Sequence, residues 1–286
     1  MQTINTIESV GTGVMPAEEL PTPGLGTLRN IDREQCAETV ARAIEIGYRH
    51  IDTAQKYDNE SFVGEGLARA PIPADDVFVA TKIAESNLAY EDVLETAERS
   101  LERIGLDTVD LLYIHWPAVS GESDRYDPEE TIPAFNKLFD GGAFRRFGVA
   151  NFSVELIEEI TDLVDVPVFA NQVEMHPLLQ QEELVEYVQE NDMYLVAYSP
   201  LLRGDLGRVP ELTDIAAKHD ATPAQVNLAW LMSKDNVVPI PKGRGEHLVE
   251  NRRARDIELD PEDIEAIEGI DREFRVVDRP KGPWQW

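Results

Sequence analysis

Short runs of Val, Ile, Leu and Phe alternate along the chain with longer stretches in which apolar residues recur every three or four positions. The first pattern suits strands buried on both faces, the second amphipathic helices. Eight strands are predicted, at residues 24–27, 49–53, 77–83, 110–115, 147–151, 169–174, 194–199 and 237–241. Between them the helices carry start and stop signals. Asp32 with Gln35 predicts a capping box, Ala37, Val40, Ala41 and Ile44 follow at helical spacing, and Gly47 ends the segment. Leu94, Ala97, Leu101 and Ile104 line one face before Gly105, and Leu156, Ile157, Ile160 and Leu163 do so after Ser153. Thr222-Pro223 with Gln225, and Asp260-Pro261, read as caps followed by Pro at the first helical position.

Strictly alternating strands and helices imply βαβ units and a parallel sheet. Eight such units predict an α/β chain closed into a (β/α)₈ TIM barrel, one domain over residues 1–286; an open doubly wound sheet uses the same alternation. No Gly-, Ser- or Pro-rich linker divides the chain. The irregular stretches at 117–128, 202–210 and 276–286 are expected at the barrel mouth, where loops select substrates.

Charge narrows the possible partners. Fifty-five acidic residues against 26 basic ones give a net charge of −29, which repels phosphate backbones and anionic lipid, so neither nucleic acid nor a membrane surface is expected. The acids are spread along the chain, and only seven of the basic residues are Lys. That composition resembles proteins of salt-accumulating halophiles, in which molar salt shortens the Debye length to about 3 Å and suppresses self-repulsion. The single Cys36 rules out an internal disulfide or a multi-cysteine metal site. Residues 1–10 lack a signal-peptide pattern and no run of 18 apolar residues occurs, which reads as cytoplasmic.

In a barrel, the C-terminal ends of successive strands converge on one pocket. Asp52 ends the second predicted strand, Lys82 the third and His115 the fourth, and Tyr57 follows Asp52 on the same strand's loop. These types suit carbonyl reduction. Hydride arriving at a carbonyl carbon builds negative charge on oxygen, and a donor must stabilise and then protonate it. A Tyr hydroxyl can donate, a neighbouring Lys ammonium is expected to lower its pKa, a buried Asp to fix the Lys, and His115 to orient the carbonyl oxygen. Taken singly, each residue also has a packing role, but four at convergent strand ends point to a site.

The run Gly47-Tyr48-Arg49-His50-Ile51-Asp52-Thr53-Ala54, with Tyr57 and Glu60, resembles the signature of aldo-keto reductases. So do Leu112-Tyr113-Ile114-His115-Trp116-Pro117, Gly148-Val149-Ala150-Asn151-Phe152, Asn171-Gln172-Val173-Glu174, Tyr198-Ser199-Pro200-Leu201 and Ile240-Pro241-Lys242. The motifs run in order from about Gly24 to Asn251, in the manner of the 2,5-diketo-gluconate reductase branch.

The resemblance implies catalysis by Asp52, Tyr57, Lys82 and His115, with Asn151 and Gln172 holding the nicotinamide carboxamide and Tyr198 stacked on its ring. Ser199 and Leu201 would border the same cofactor, with Thr27 at the end of the first strand. Ala150 stands where the family often has Ser, so one carboxamide contact is expected to be missing. The resemblance further implies that Lys242 clamps a 2′-phosphate while Glu250 and Asn251 hold adenine. Gly243 replaces a usual Ser, and His247, a poorer phosphate clamp, replaces Arg, with Arg244 as a substitute. NADPH is the expected cofactor, with NADH possible.

Trp116 is expected to contact substrate alongside Tyr57 and His115, while Trp284 and Trp286 either line an apolar wall or simply pack. Expected substrates are small sugar-derived or dicarbonyl compounds, and the expected state is a monomer. Two rival readings compete. His50 and Asp52 share a strand face as paired metal ligands would, but no two of the five His have that spacing, so no metal site is expected. A dinucleotide-binding redox sensor would tolerate loss of the four catalytic residues, all of which are present.

Overall fold

Each predicted strand forms, and each lies parallel to the one before it. The computed structural model describes residues 20–117, 126–279 and 282–285. The sequence readings at residues 1–10, in most of 117–128 and at Trp286 lie outside these. The strands are β1 (Leu25–Gly26), β2 (His50–Asp52), β3 (Phe78–Ile83), β4 (Val109–Ile114), β5 (Phe144–Ala150), β6 (Val168–Glu174), β7 (Tyr194–Tyr198) and β8 (Val237–Pro239), hydrogen-bonded in chain order. The sheet then closes on itself. The Gly24 amide donates to the Pro239 carbonyl at 3.0 Å and the Gly26 amide to that of Pro241 at 3.2 Å, which excludes the open doubly wound alternative.

The main helices are α1 (Arg33–Glu45), α2 (Glu60–Arg69), α3 (Tyr90–Ile104), α4 (Pro128–Asp140), α5 (Val154–Thr161), α6 (Glu182–Glu190), α7 (Pro210–Lys218), α8 (Pro223–Met232), α9 (Glu246–Arg253) and α10 (Pro261–Glu268). Their caps follow the sequence. Ser153 accepts from the Leu156 amide, Thr222 and Gln225 form a reciprocal box, and Asp260 pairs with Asp263 in the same way. The expected box at Asp32 is half made. Asp32 accepts from the Gln35 amide at 2.8 Å, whereas the Gln35 side chain turns to the Arg244 guanidinium at 3.0 Å.

Side chains alternate across each strand, so one set points into the barrel. Phe78, Ala80, Leu111, Tyr113, Ala170, Val196 and Val238 form an apolar plug there, distinct from the larger core between strands and helices. Gly148 makes room for this plug: a Cβ would stand 2.6 Å from the Tyr113 ring. Two residues further along the inward rows, the side chains become polar. Lys82 follows Ala80 in β3, Gln172 follows Ala170 in β6 and Tyr198 follows Val196 in β7. The alternation that fills the core thus lays a polar layer on an apolar floor at the C-terminal end of the barrel.

Candidate active site

The polar layer is built around one carboxylate. Asp52 takes the Lys82 ammonium at 2.6 Å on one oxygen and the Gln172 amide nitrogen at 2.8 Å on the other, while Lys82 also donates to the Thr53 carbonyl at 2.7 Å. Asp52 and Lys82 are both fully buried. The Lys82 nitrogen lies between two phenol rings, 5.1 Å from the centre of Tyr57 and 5.8 Å from that of Tyr113. Tyr57 rides on a short 3-10 turn, Gln55–Tyr57, anchored by the Gln55 amide, which accepts from the Ala84 backbone at 2.9 Å and donates to the Thr96 carbonyl at 3.1 Å. The Tyr57 and His115 rings meet edge to face at 5.7 Å and 80°.

Burial dominates the electrostatics. It disfavours the His115 imidazolium, as do Lys82, Lys56 and Arg279 nearby, so His115 is held well below its ordinary range and stays neutral. Burial also lowers the Lys82 pKa, against the opposing pull of Asp52. The Tyr57 phenol is pushed well above its ordinary range, first by burial and then by the charge of Asp52. Two of the three N–H groups of Lys82 go to Asp52 and Thr53.

Above this layer opens a cleft of about 840 Å³. Tyr57, His115 and Trp116 border it at the barrel axis, with Asn151, Gln172 and Tyr198 beside them. Asn151, in the left-handed conformation, donates to the His115 carbonyl at 3.0 Å and accepts from the Tyr198 hydroxyl at 2.8 Å. Each amide keeps spare capacity, since a primary amide has two donors and two acceptor sites. Ser199 and Leu201 border the cleft further out, and Lys242, His247, Glu250 and Asn251 border its far end. Three expected residues do not border it. Lys82 lies behind Asp52 and Tyr57; Thr27 is buried with its hydroxyl on the Asp52 carbonyl at 2.9 Å; Arg244 turns to Gln35.

The model of the aldo/keto reductase family matches residues 22–272. The chain belongs to the aldo/keto reductase family. It is 39% identical over 263 residues to the glyoxal reductase of Bacillus subtilis (strain 168), covering 92% of this chain and 93% of that one. Among solved structures it resembles a putative 2,5-diketo-D-gluconic acid reductase B, with a TM-score of 0.86 and 33% identity over 92% of each chain. It also resembles an aldo-keto reductase crystallised with NADPH, with a TM-score of 0.81 and 32% identity over 91% of this chain and 87% of the other.

This aldo/keto reductase also carries cleft residues that sequence reasoning passed over. Burial, and then the charges of Arg29 and Arg203, disfavour the charged form of Lys242, so three cations converge at one end of the cleft. Lys56 and Arg279 border the other end. Beside them the C-terminal segment is pinned down. Glu174 and His176, both fully buried, pair at 2.9 Å, and Glu174 accepts the backbone amides of Val276 and Val277, the latter at 2.7 Å. Arg279 then lies over the Trp116 ring at 4.1 Å, and Trp284 packs edge-on against Trp116 at 5.7 Å. The quoted Asn171-Gln172-Val173-Glu174 motif was the available signal, but nothing in its spacing ties Glu174 to residues a hundred positions later.

Proposed function

We propose that this chain reduces small aldehydes and ketones to alcohols with NADPH, Tyr57 supplying the proton. The carrying observation is the meeting of Tyr57 and His115 at the cleft floor, directly over the buried Asp52–Lys82 pair. The cleft also suits a dinucleotide. It has a cationic end at Arg29, Arg203 and Lys242, an end with amide and aromatic groups at Asn151, Gln172 and Tyr198, and a wall where Gly26 packs so closely that a Cβ would stand 2.8 Å from the Ile240 carbonyl oxygen. When bound, NADPH supplies the hydride, which adds to the carbonyl carbon while one proton adds to oxygen.

The chain's own residues handle that proton. A neutral His115 is a hydrogen-bond donor that holds the carbonyl oxygen without competing to protonate it. Tyr57 stays protonated until charge develops on that oxygen. An alkoxide is a far stronger base than a phenolate, so the transfer runs downhill even from a phenol with a raised pKa. The Lys82 ammonium beside the ring then stabilises the phenolate left behind. The Asp52 carboxylate keeps that ammonium in place.

Glyoxal, the compound named for the relative from Bacillus subtilis, is the model substrate of this reading, in keeping with a small dicarbonyl. Lys242 and the arginines near it favour NADPH over NADH, although His247, bonded to Glu250 at 2.9 Å, makes a modest clamp. The enzyme acts as a monomeric cytoplasmic protein of one barrel domain, its charge of −29 opposing self-association. The test is absorbance of NADPH and of NADH during glyoxal reduction. Turnover with a higher kcat/KM for NADPH is expected; equal efficiency with both cofactors refutes the preference, and absence of turnover with either refutes the function.

A further inference from the structure

The cleft inverts the charge of the protein around it. Acids outnumber Lys and Arg by 55 to 26 in the chain, yet five Lys or Arg residues border the cleft against two acids, Asp52 and Glu250. These five fall into two groups. Arg29, Arg203 and Lys242 converge at the end where the dinucleotide phosphates of the proposed cofactor would lie. Lys56 and Arg279 do not belong to that group. Lys56 directly precedes Tyr57 in the same short turn, and the Arg279 guanidinium carbon lies 4.1 Å from the ring centre of Trp116, the residue after His115. Both act on the His115 imidazole. Two cations therefore flank Tyr57 and His115, the two groups that would meet the carbonyl oxygen.

Their pairing leaves them available. Each is ion-paired with the same carboxylate, Glu85, with the Arg279 nitrogen at 3.0 Å. Glu85 is nearly buried, at 7% exposure, whereas Lys56 and Arg279 stay partly exposed at 41% and 31% and both border the cleft. Glu85 reads as an anchor that fixes both cations in place. The Trp116 ring, 4.1 Å from the Arg279 guanidinium carbon, helps hold that cation beside His115, and a guanidinium has donors beyond the nitrogen paired with Glu85 to offer a carboxylate. In a chain of this net charge, an anionic substrate would be repelled everywhere except at such a patch.

We propose that Lys56 and Arg279 form a subsite for a carboxylate, so that carbonyl compounds bearing a carboxylate a few bonds from the carbonyl are preferred over neutral ones of the same length. This rests on the carbonyl-reductase reading and names its substrate class. Glyoxal is then a turned-over but uncharged, and therefore poorer, substrate.

The test compares 4-oxobutanoate with butanal, which share a four-carbon aldehyde chain and differ in the carboxylate. A partly exposed charge-assisted hydrogen bond is worth about tenfold in affinity. In the wild type the kcat/KM for 4-oxobutanoate should exceed that for butanal about tenfold or more, through KM. In Arg279→Gln and, separately, in Lys56→Gln, the ratio of the two kcat/KM values should fall about tenfold. Binding is read without turnover from the fluorescence of Trp116 and Trp284 in protein saturated with NADP⁺, which has no hydride to give; there Arg279→Gln should weaken 4-oxobutanoate about tenfold. A wild-type ratio near one, a ratio unchanged in both variants, or equal losses on both substrates overturns the subsite. Wild-type reduction of butanal in the same assay separates the two ideas, because its absence counts against the carbonyl-reductase reading, whereas butanal turnover without charge preference counts against the subsite alone.

Discussion

Replacing Lys82 with Met leaves Asp52 as a buried carboxylate with the Gln172 amide as its remaining side-chain partner. At 2.6 Å and an effective dielectric constant of about 20, the lost attraction is on the order of 6 kcal/mol. The Met side chain returns part of that, because no ammonium has to be desolvated. The net loss is therefore about 3–5 kcal/mol, the usual cost of breaking a buried ion pair from one side. A chain of this size loses roughly 2–4 °C in Tm per kcal/mol, so Lys82→Met should melt on the order of 10 °C below the wild type. The double variant Lys82→Met/Asp52→Asn removes the stranded charge as well, and an Asn fills the same volume. Thermal and denaturant unfolding of the three proteins at one pH and salt concentration provide the assay. The double variant should recover a substantial part of the loss. If it proves as unstable as Lys82→Met or more so, the pair is not held by mutual compensation, and the account of the polar layer fails.

Three further outcomes follow from the same structure. Burial pushes His50 down to about 4 from 6.5, so the folded state refuses a proton that the unfolded chain accepts. Stability is therefore intact above pH 6.5 and falls as pH drops toward 4, by about 2 kcal/mol at pH 5; in His50→Leu, the stability difference between pH 7 and pH 5 should shrink by that amount in denaturant titrations. The charge of −29 predicts a Tm that rises as KCl is raised from about 0.05 M to about 2 M, and a Tm insensitive to salt would count against the halophilic reading of the composition. Glu174→Gln weakens the charge-assisted hold on the Val276 and Val277 amides, so trypsin should cut after Arg275 several-fold faster than in wild type while cutting elsewhere unchanged.

What the sequence made legible follows the physics of each feature. All eight strands could be read because buried parallel strands are continuous apolar runs, and the capped helices because their end signals are local. Boundaries slipped where this logic weakens. β5 begins at Phe144, earlier than the apolar run suggests, because the part-exposed Arg145 and Arg146 interrupt the pattern at the bottom of the barrel. The four catalytic candidates could be placed because strand ends converge by topology alone. Arg29, Arg203 and Arg279 could not, since they sit in loops and a tail whose paths depend on tertiary contacts; Arg29 and Arg203 adopt positive φ, of 66° and 56°, that no periodicity announces.

The central claim is that Tyr57 gives the proton. Tyr57→Phe keeps the ring that packs against His115 and the Lys82 ammonium and removes only the hydroxyl. Single-turnover hydride transfer from NADPH to glyoxal, with cofactor binding measured separately by fluorescence, isolates its effect. Loss of a positioned general acid should slow the transfer at least 10²-fold with NADPH affinity within about twofold of wild type. Transfer within a few-fold of the wild-type rate would contradict the mechanism.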